Sequence, residues 1–247
     1  MDLPIFVINM PQNIDRRQNI ESQLSSMSLS ATFIEAVVGK ELTNAEVASM
    51  YDEQANQRCH HRDLSLGEIG CYASHRKIWQ RMIDSNIQWS VVLEDDITVS
   101  KDIHSIIEAL TDIKHTDIIK LSDNRNNPAI DSRQLSNNVT CINYKRVPNC
   151  TTGYIISLEG AKKLLSRKYF YRPVDIDLQF HSELNLSVIG LKPYCVKEAG
   201  FDSEIAAQNN GIHNNSSTFF RNIKYRIRMI LQRRKVSADL NTVLNLE

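Results

Sequence analysis

WSVVLEDD, residues 89–96, joins an unbroken apolar run to three consecutive acids. An apolar run without alternation, here Trp89 to Leu93, is what a strand covered on both faces requires, as in the parallel sheet of an α/β protein. In open α/β sheets ligands bind beyond the carboxyl ends of the strands, so Glu94, Asp95 and Asp96 stand where a binding site is expected. Packed carboxylates repel one another unless a cation lies among them, and oxygen ligands of this kind favour Mn²⁺ or Mg²⁺. Such an ion suits chemistry in which a diphosphate leaves with growing negative charge. A cluster that merely opens a solvated loop is the competing reading.

Outward from this stretch the alternation of strand and helix continues. IFVI (Ile5 to Ile8) is a short β-rich run, followed by a helical pattern in which Ile20, Leu24 and Met27 recur, and FIEAVV (Phe33 to Val38) is the next strand. Residues 40–64 read as a polar loop or short helices. Ser65 and Glu68 form a capping box, which predicts a helix from Leu66 to about Ile83 with Ile69, Tyr72, Ala73, Trp79, Met82 and Ile83 on one face and His75 among them. DIIKL (Asp117 to Leu121) and GYIISL (Gly153 to Leu158) are further strands, the second running into a helix at EGAKKLL, with residues 122–150 a polar insertion between them. A last strand is expected within 187–196.

Composition fits a folded globular chain: 247 residues, 42% hydrophobic and 23% charged, with a formal net charge of zero. The balance is uneven. Residues 219–235 carry seven basic side chains and no acid, leaving 22 basic against 29 acidic residues elsewhere. On a helical wheel Phe219, Phe220, Ile223, Ile227, Ile230 and Leu231 lie on one side, with Arg221, Lys224, Arg228 and Lys235 on another. That is a cationic amphipathic helix of the kind that rests on an anionic bilayer, unless the apolar stripe packs on the domain. Aromatic interleaving and nucleic-acid motifs are lacking, so no nucleic-acid partner is expected. Five scattered cysteines suggest reduced thiols, the opening MDLPIFVINM reads as a buried strand rather than a signal peptide, and no stretch is long enough to span a membrane. The expected location is cytoplasmic, peripheral on the inner face of the membrane where the basic segment docks.

EDDIT overlaps the D-x-D-x-T pattern of haloacid-dehalogenase phosphatases, but Glu94 occupies the place of the nucleophilic Asp. Its longer side chain would displace the attacking oxygen by about one bond, an error that costs on the order of a hundredfold.

Several separated strings together resemble glycosyltransferase family 25, which includes bacterial lipooligosaccharide glycosyltransferases and collagen hydroxylysine galactosyltransferases. They are VIN (Val7 to Asn9) with Arg16-Arg17, the strand ending in Ala36, GEIGCYASH (Gly67 to His75) with Trp79, LEDD (Leu93 to Asp96), TTGYIIS, GAKKLL and PVD (Pro173 to Asp175). The resemblance covers most of residues 3–178 and leaves the chain beyond about 200 unmatched. It implies a GT-A type fold, a mostly parallel sheet flanked by helices; the expected division is this domain over residues 1–215, with 216–247, read from the charge pattern, as a basic amphipathic helical segment. It also implies a UDP-hexose donor (galactose or glucose), Mn²⁺, inversion at the anomeric carbon, and an oligosaccharide or glycolipid acceptor. On that basis Glu94, Asp95 and Asp96 hold the metal, Glu94 and Asp95 also touch the donor, and Asn9, Arg16, Arg17, Ala36, Ser74 and His75 are further donor contacts. Asp175 is the candidate base, or else a helix cap, with Asp177, expected to face away in a strand, and His181 behind it; His213 is a further candidate for the metal shell. An inactive carbohydrate-binding module on the same fold, or a transferase using another nucleotide-sugar, is the rival reading.

Overall fold

The computed structural model describes residues 3–136, 138–200 and 219–246. Its centre is an eight-stranded sheet of β1 (Ile5–Asn9), β2 (Ala31–Glu35), β3 (Trp89–Glu94), β5 (Ile118–Lys120), β6 (Ala129–Gln134), β7 (Thr140–Tyr144), β8 (Gly153–Ser157) and β9 (Val188–Lys192), in the order β2-β1-β3-β8-β5-β9-β7-β6. β1 lies parallel to both β2 and β3, and β5 is parallel to β9, while β8 and β7 are antiparallel to their neighbours. Six of the eight strands therefore run one way, and the fold is the α/β arrangement expected, with a mostly parallel sheet. A separate two-stranded ribbon pairs β4 (Ile97–Val99) with β10 (Val196–Glu198).

Strand alternation distributes the apolar side chains between two layers. On one side Ile5, Val7, Val91, Leu93 and Ile155 pack with α1 (Ile14–Ser26), α5 (Ile103–Ala109) and the C-terminal α9 (Leu240–Leu244). On the other, Phe6, Val92, Tyr154 and Ile156 pack with α4 (Leu66–Asp84), α6 (Leu158–Ser166) and α7 (Val174–Gln179). The Ser65–Glu68 capping box is formed and α4 starts at Leu66, with Ile69, Tyr72, Ala73, Trp79 and Met82 buried as the wheel predicts. A second capping box, Thr43 with Glu46, opens α2 (Asn44–Met50), and α3 (Glu53–Cys59) follows, so the polar stretch 40–64 holds two short helices.

Three expectations change. The insertion 122–150 contains the β6–β7 hairpin, whose strands have weak apolar patterning because β6 is an edge strand with mostly exposed residues. The strand expected within 187–196 is divided into β9 and β10, which belong to different sheets. Asp175 and Asp177 lie in the helix α7 rather than in a strand.

Residues 216–247 were expected to form one appended segment; the boundary itself lies outside the described residues, and part of the segment is core. Ser237 accepts from the Tyr144 N–H at 2.8 Å and donates to the Val188 carbonyl at 2.6 Å, while Ala238, Leu240 and Val243 are buried. Between them and the body runs α8 (Phe219–Gln232). It packs through Met229, Gln232 and the half-buried Arg221 and Tyr225; Phe219, Phe220, Ile223, Ile227, Ile230 and Leu231 point outward. The apolar stripe is thus not its packing face. No helix among the described residues is long and apolar enough to cross a membrane.

Candidate active site

Two adjoining cavities open at the carboxyl ends of β1, β2 and β3. The first, of about 280 Å³, is lined by Ile8, Met10, Asn13, Arg16, Ala36, Val37, Ser74, His75, Asp95 and Asp96, among others. The second, of about 310 Å³, is lined by Glu68, Asn124, Asn149, Thr151, Pro173, Val174 and Asp175. Cys71, Glu94, Thr152 and Glu198 line both. Because β8 is antiparallel to β3, with Gly153 opposite Leu93, Thr151 and Thr152 arrive beside the acids.

The wall opposite the acids depends on glycine. The loop after β2 crosses α4 so closely that a Cβ on Gly70 would lie 2.4 Å from the Val37 carbonyl oxygen, and one on Gly39 would lie 1.8 Å from that of Leu66. Ser74 fastens the crossing: it accepts from the Val37 N–H at 2.8 Å and donates to the Gly70 carbonyl at 2.8 Å. The Ala36 N–H donates to the Asn9 carbonyl at 3.0 Å. The Ser74 hydroxyl and the Ala36 N–H are therefore already engaged where these residues line the first cavity.

The three acids diverge. Asp95 accepts from Asn9 Nδ2 at 2.7 Å, and Arg16 Nη1 lies 3.5 Å from both Asp95 Oδ1 and Asp96 Oδ2. Glu94 points to the α4 side, where Thr151 donates to its Oε1 at 2.9 Å and His75 Nε2 is 3.8 Å away. Burial pushes Asp95 above the usual carboxylate range despite Asn9 and Arg16. Burial, then the charges of Glu94 and Asp95, raises Asp96 to about 6. For Glu94 burial acts the same way but is outweighed by the His75 ring, the Thr151 hydroxyl and Lys120, so its carboxyl sits low.

His75 is wholly buried, with Nδ1 2.9 Å from the Tyr154 hydroxyl. That hydroxyl also accepts from Trp79 Nε1 at 3.0 Å, so the ring is held from its Nδ1 side while Nε2 faces Glu94. In the second cavity Asp175 is raised to about 6, by burial first and then by Glu68 and Glu94, against a backbone hydrogen bond at Ile176. Its position at the first turn of α7 makes it part of the helix start as well as of the cavity wall.

Arg17, Asp177 and His181 fall elsewhere. The Arg17 guanidinium sits 4.3 Å from the centre of the Phe33 ring, one residue round the helix from Arg16 and off the cavity. Asp177 is buried under charge: Tyr72 donates to it at 2.7 Å and Arg172 lies at 2.8 Å, so it cannot serve as a free base. His181 lines a separate groove of about 750 Å³ with Lys163 and Lys235. His213 lies outside the described residues.

Sequence reasoning passed over Cys71, Thr151 and Lys120. Lys120 is fully buried, donates to the Cys150 carbonyl, and favours the ionised forms of Glu94 and Asp175. Its signal was a lysine inside the apolar run DIIKL; that of Cys71 was its spacing of four from His75.

The chain is 31% identical over 196 residues to procollagen galactosyltransferase 2 of Homo sapiens, covering 70% of this chain and 29% of that protein. It is 29% identical over 184 residues to a glycosyltransferase 25 family member of Drosophila melanogaster, with the same two coverages. It spans less than a third of the length of these curated relatives. A solved glycosyltransferase involved in glycosylation of the major capsid of PBCV-1 shares 12% identity at a TM-score of 0.34, over 66% of this chain and 65% of that one. The model of "Glycosyltransferase family 25 (LPS biosynthesis protein)" matches residues 2–179, well over half the sequence, and the chain belongs to that family.

Proposed function

We propose that this chain transfers a hexose, galactose before glucose, from a UDP-sugar to a hydroxyl of a saccharide acceptor, with inversion at the anomeric carbon. One observation carries the reading: a cavity bearing Asp95, Asp96 and Arg16 adjoins a cavity bearing Asp175, with Glu94 in the wall between them. The first suits a nucleotide diphosphate, for which Arg16 supplies charge-assisted hydrogen bonds and the Ile8, Ala36 and Val37 surface receives the base. The second suits the attacking sugar. The names of the relatives, procollagen galactosyltransferases among them, support galactose as the transferred unit.

Asp95 and Asp96 fit a hard divalent ion, Mn²⁺ or Mg²⁺, since burial and the Glu94 charge raise both, Asp95 raises Asp96 further, and Asn9 and Arg16 only partly offset this. Bound there, the ion would supply Lewis-acid stabilisation to the departing diphosphate. Asn9 orients Asp95 from the end of β1. Asp175 takes the proton from the acceptor hydroxyl as it attacks, and Lys120 favours the ionised carboxylate this requires. Outward-facing apolar residues of α8, flanked by Lys224, Arg226 and Arg228, suit docking on an anionic membrane surface that presents a glycolipid acceptor such as a lipooligosaccharide.

A UDP-release assay over a panel of donors, with Mn²⁺ and with EDTA, tests the reading. Release with UDP-galactose that disappears in EDTA is expected; sugar binding without UDP production would establish an inactive binding module instead. Asp96→Ala is expected to abolish turnover and the Mn²⁺-dependent part of UDP binding. Asp175→Asn is expected to lower kcat by roughly 10²- to 10⁴-fold with UDP affinity retained.

A further inference from the structure

We infer that Cys71, His75 and Glu94 form a second cation site, for a borderline divalent ion of the zinc class, apart from the hard-ion pair Asp95 and Asp96. Cys71 and His75 lie one helical turn apart on α4, and Glu94 reaches them from the end of β3. One ligand atom from each, a thiol sulfur, an imidazole nitrogen and a carboxylate oxygen, lies within 4.8 Å of the other two. Ligand atoms around a tetrahedral zinc-class ion stand roughly 3.3 to 3.8 Å apart, so the three need to close by only about 1 Å.

The independent sign is the His75 ring. It is wholly buried, Nδ1 is held by the Tyr154 hydroxyl, and Nε2 faces Glu94 without a partner at hydrogen-bonding distance. A buried nitrogen in that condition is costly unless something else occupies the space before it. A cation on Nε2 leaves the one ring proton on Nδ1, where the Tyr154 oxygen, which also accepts from Trp79, holds it and fixes the ring. The sulfur and nitrogen donors select Zn²⁺, Co²⁺ or Fe²⁺ over Mg²⁺, and binding exchanges the Cys71 S–H proton, released to solvent, for the ion. Because Cys71 and Glu94 line both cavities, the fourth position opens toward them and takes water or a ligand oxygen. An ion there ties α4 to β3 and fixes the carboxylate between the cavities. This inference stands whether or not the chain transfers sugar.

The test is titration of the reduced, metal-free full chain with Co²⁺, reading the near-ultraviolet thiolate-to-cobalt absorption. One equivalent bound, with an absorption lost in Cys71→Ser and kept in Asp96→Ala, is expected, as is affinity at least tenfold weaker in Glu94→Gln. An unchanged absorption in Cys71→Ser, or no thiolate band at millimolar Co²⁺, overturns the site. X-ray absorption on the wild-type chain loaded with one equivalent of Zn²⁺ reads the same site without a variant: one sulfur in the first shell supports it, and a shell of nitrogen and oxygen alone overturns it.

Discussion

Glu94 and Asp95 are adjacent in sequence and serve opposite sides of the sheet, because successive residues leaving a strand point to alternate faces. Glu94 continues the face of Val92, toward α4 and His75, whereas Asp95 continues the face of Leu93, toward α1 and Arg16. Three acids in a row therefore point two ways, although all three line the first cavity. The same scale separates Asp175 from Asp177: two residues apart on a short helix, one lines a cavity and the other is enclosed by Tyr72, Arg167 and Arg172. Asp175 must be ionised to accept a proton, and its pKa is raised to about 6. Activity is therefore expected to be full above that value and to fall about tenfold per pH unit below it. A pH profile of kcat measured with saturating donor checks this; a flat profile down to pH 5 would remove Asp175 as the base.

At the scale of elements, the site depends on the crossing of the β2 exit loop over α4. Gly70→Ala puts a methyl group against the Val37 carbonyl and the Gly39 nitrogen, 2.4 and 2.8 Å away. Overpacking of this kind costs about 1–3 kcal/mol, and here the displaced residues line the first cavity, so UDP affinity is expected to fall along with the urea midpoint. Ser65→Ala provides the contrast: loss of the α4 cap is expected to cost about 1 kcal/mol in the same denaturation experiment. Its UDP affinity should stay near wild type, since Ser65 lies about two and a half turns from Ser74 and lines neither cavity. Capping boxes and the α4 face were legible because they follow from spacing within one element. The β6 and β10 strands were not, because a short edge or ribbon strand draws its stability from its partner and carries little pattern of its own.

For the whole molecule, the C-terminal region both completes the core and turns an apolar face outward. Removing residues 219–247 would strip Ala238, Leu240 and Val243 from the core, so deletion is the wrong test of membrane docking. Phe220→Ser with Ile223→Glu and Ile227→Glu is the right one, since all three side chains are exposed. Co-sedimentation with anionic phospholipid vesicles is expected to drop at least tenfold, with stability changed by no more than about 0.5 kcal/mol per site. Retained sedimentation would assign the face to another use.

The amino-acid sequence alone determined the α/β class, the position of the acids at a strand end, the α4 helix and the membership suggested by its separated strings. Each of these rests on local periodicity or on spacing along the chain. Only the tertiary structure decided which acids cooperate, that Arg16 and not Arg17 meets them, that Asp177 is enclosed, and that Cys71 stands beside Glu94. Those outcomes depend on which strands become neighbours and in which direction β8 runs, and contacts between residues dozens of positions apart leave no periodic trace in the chain that makes them.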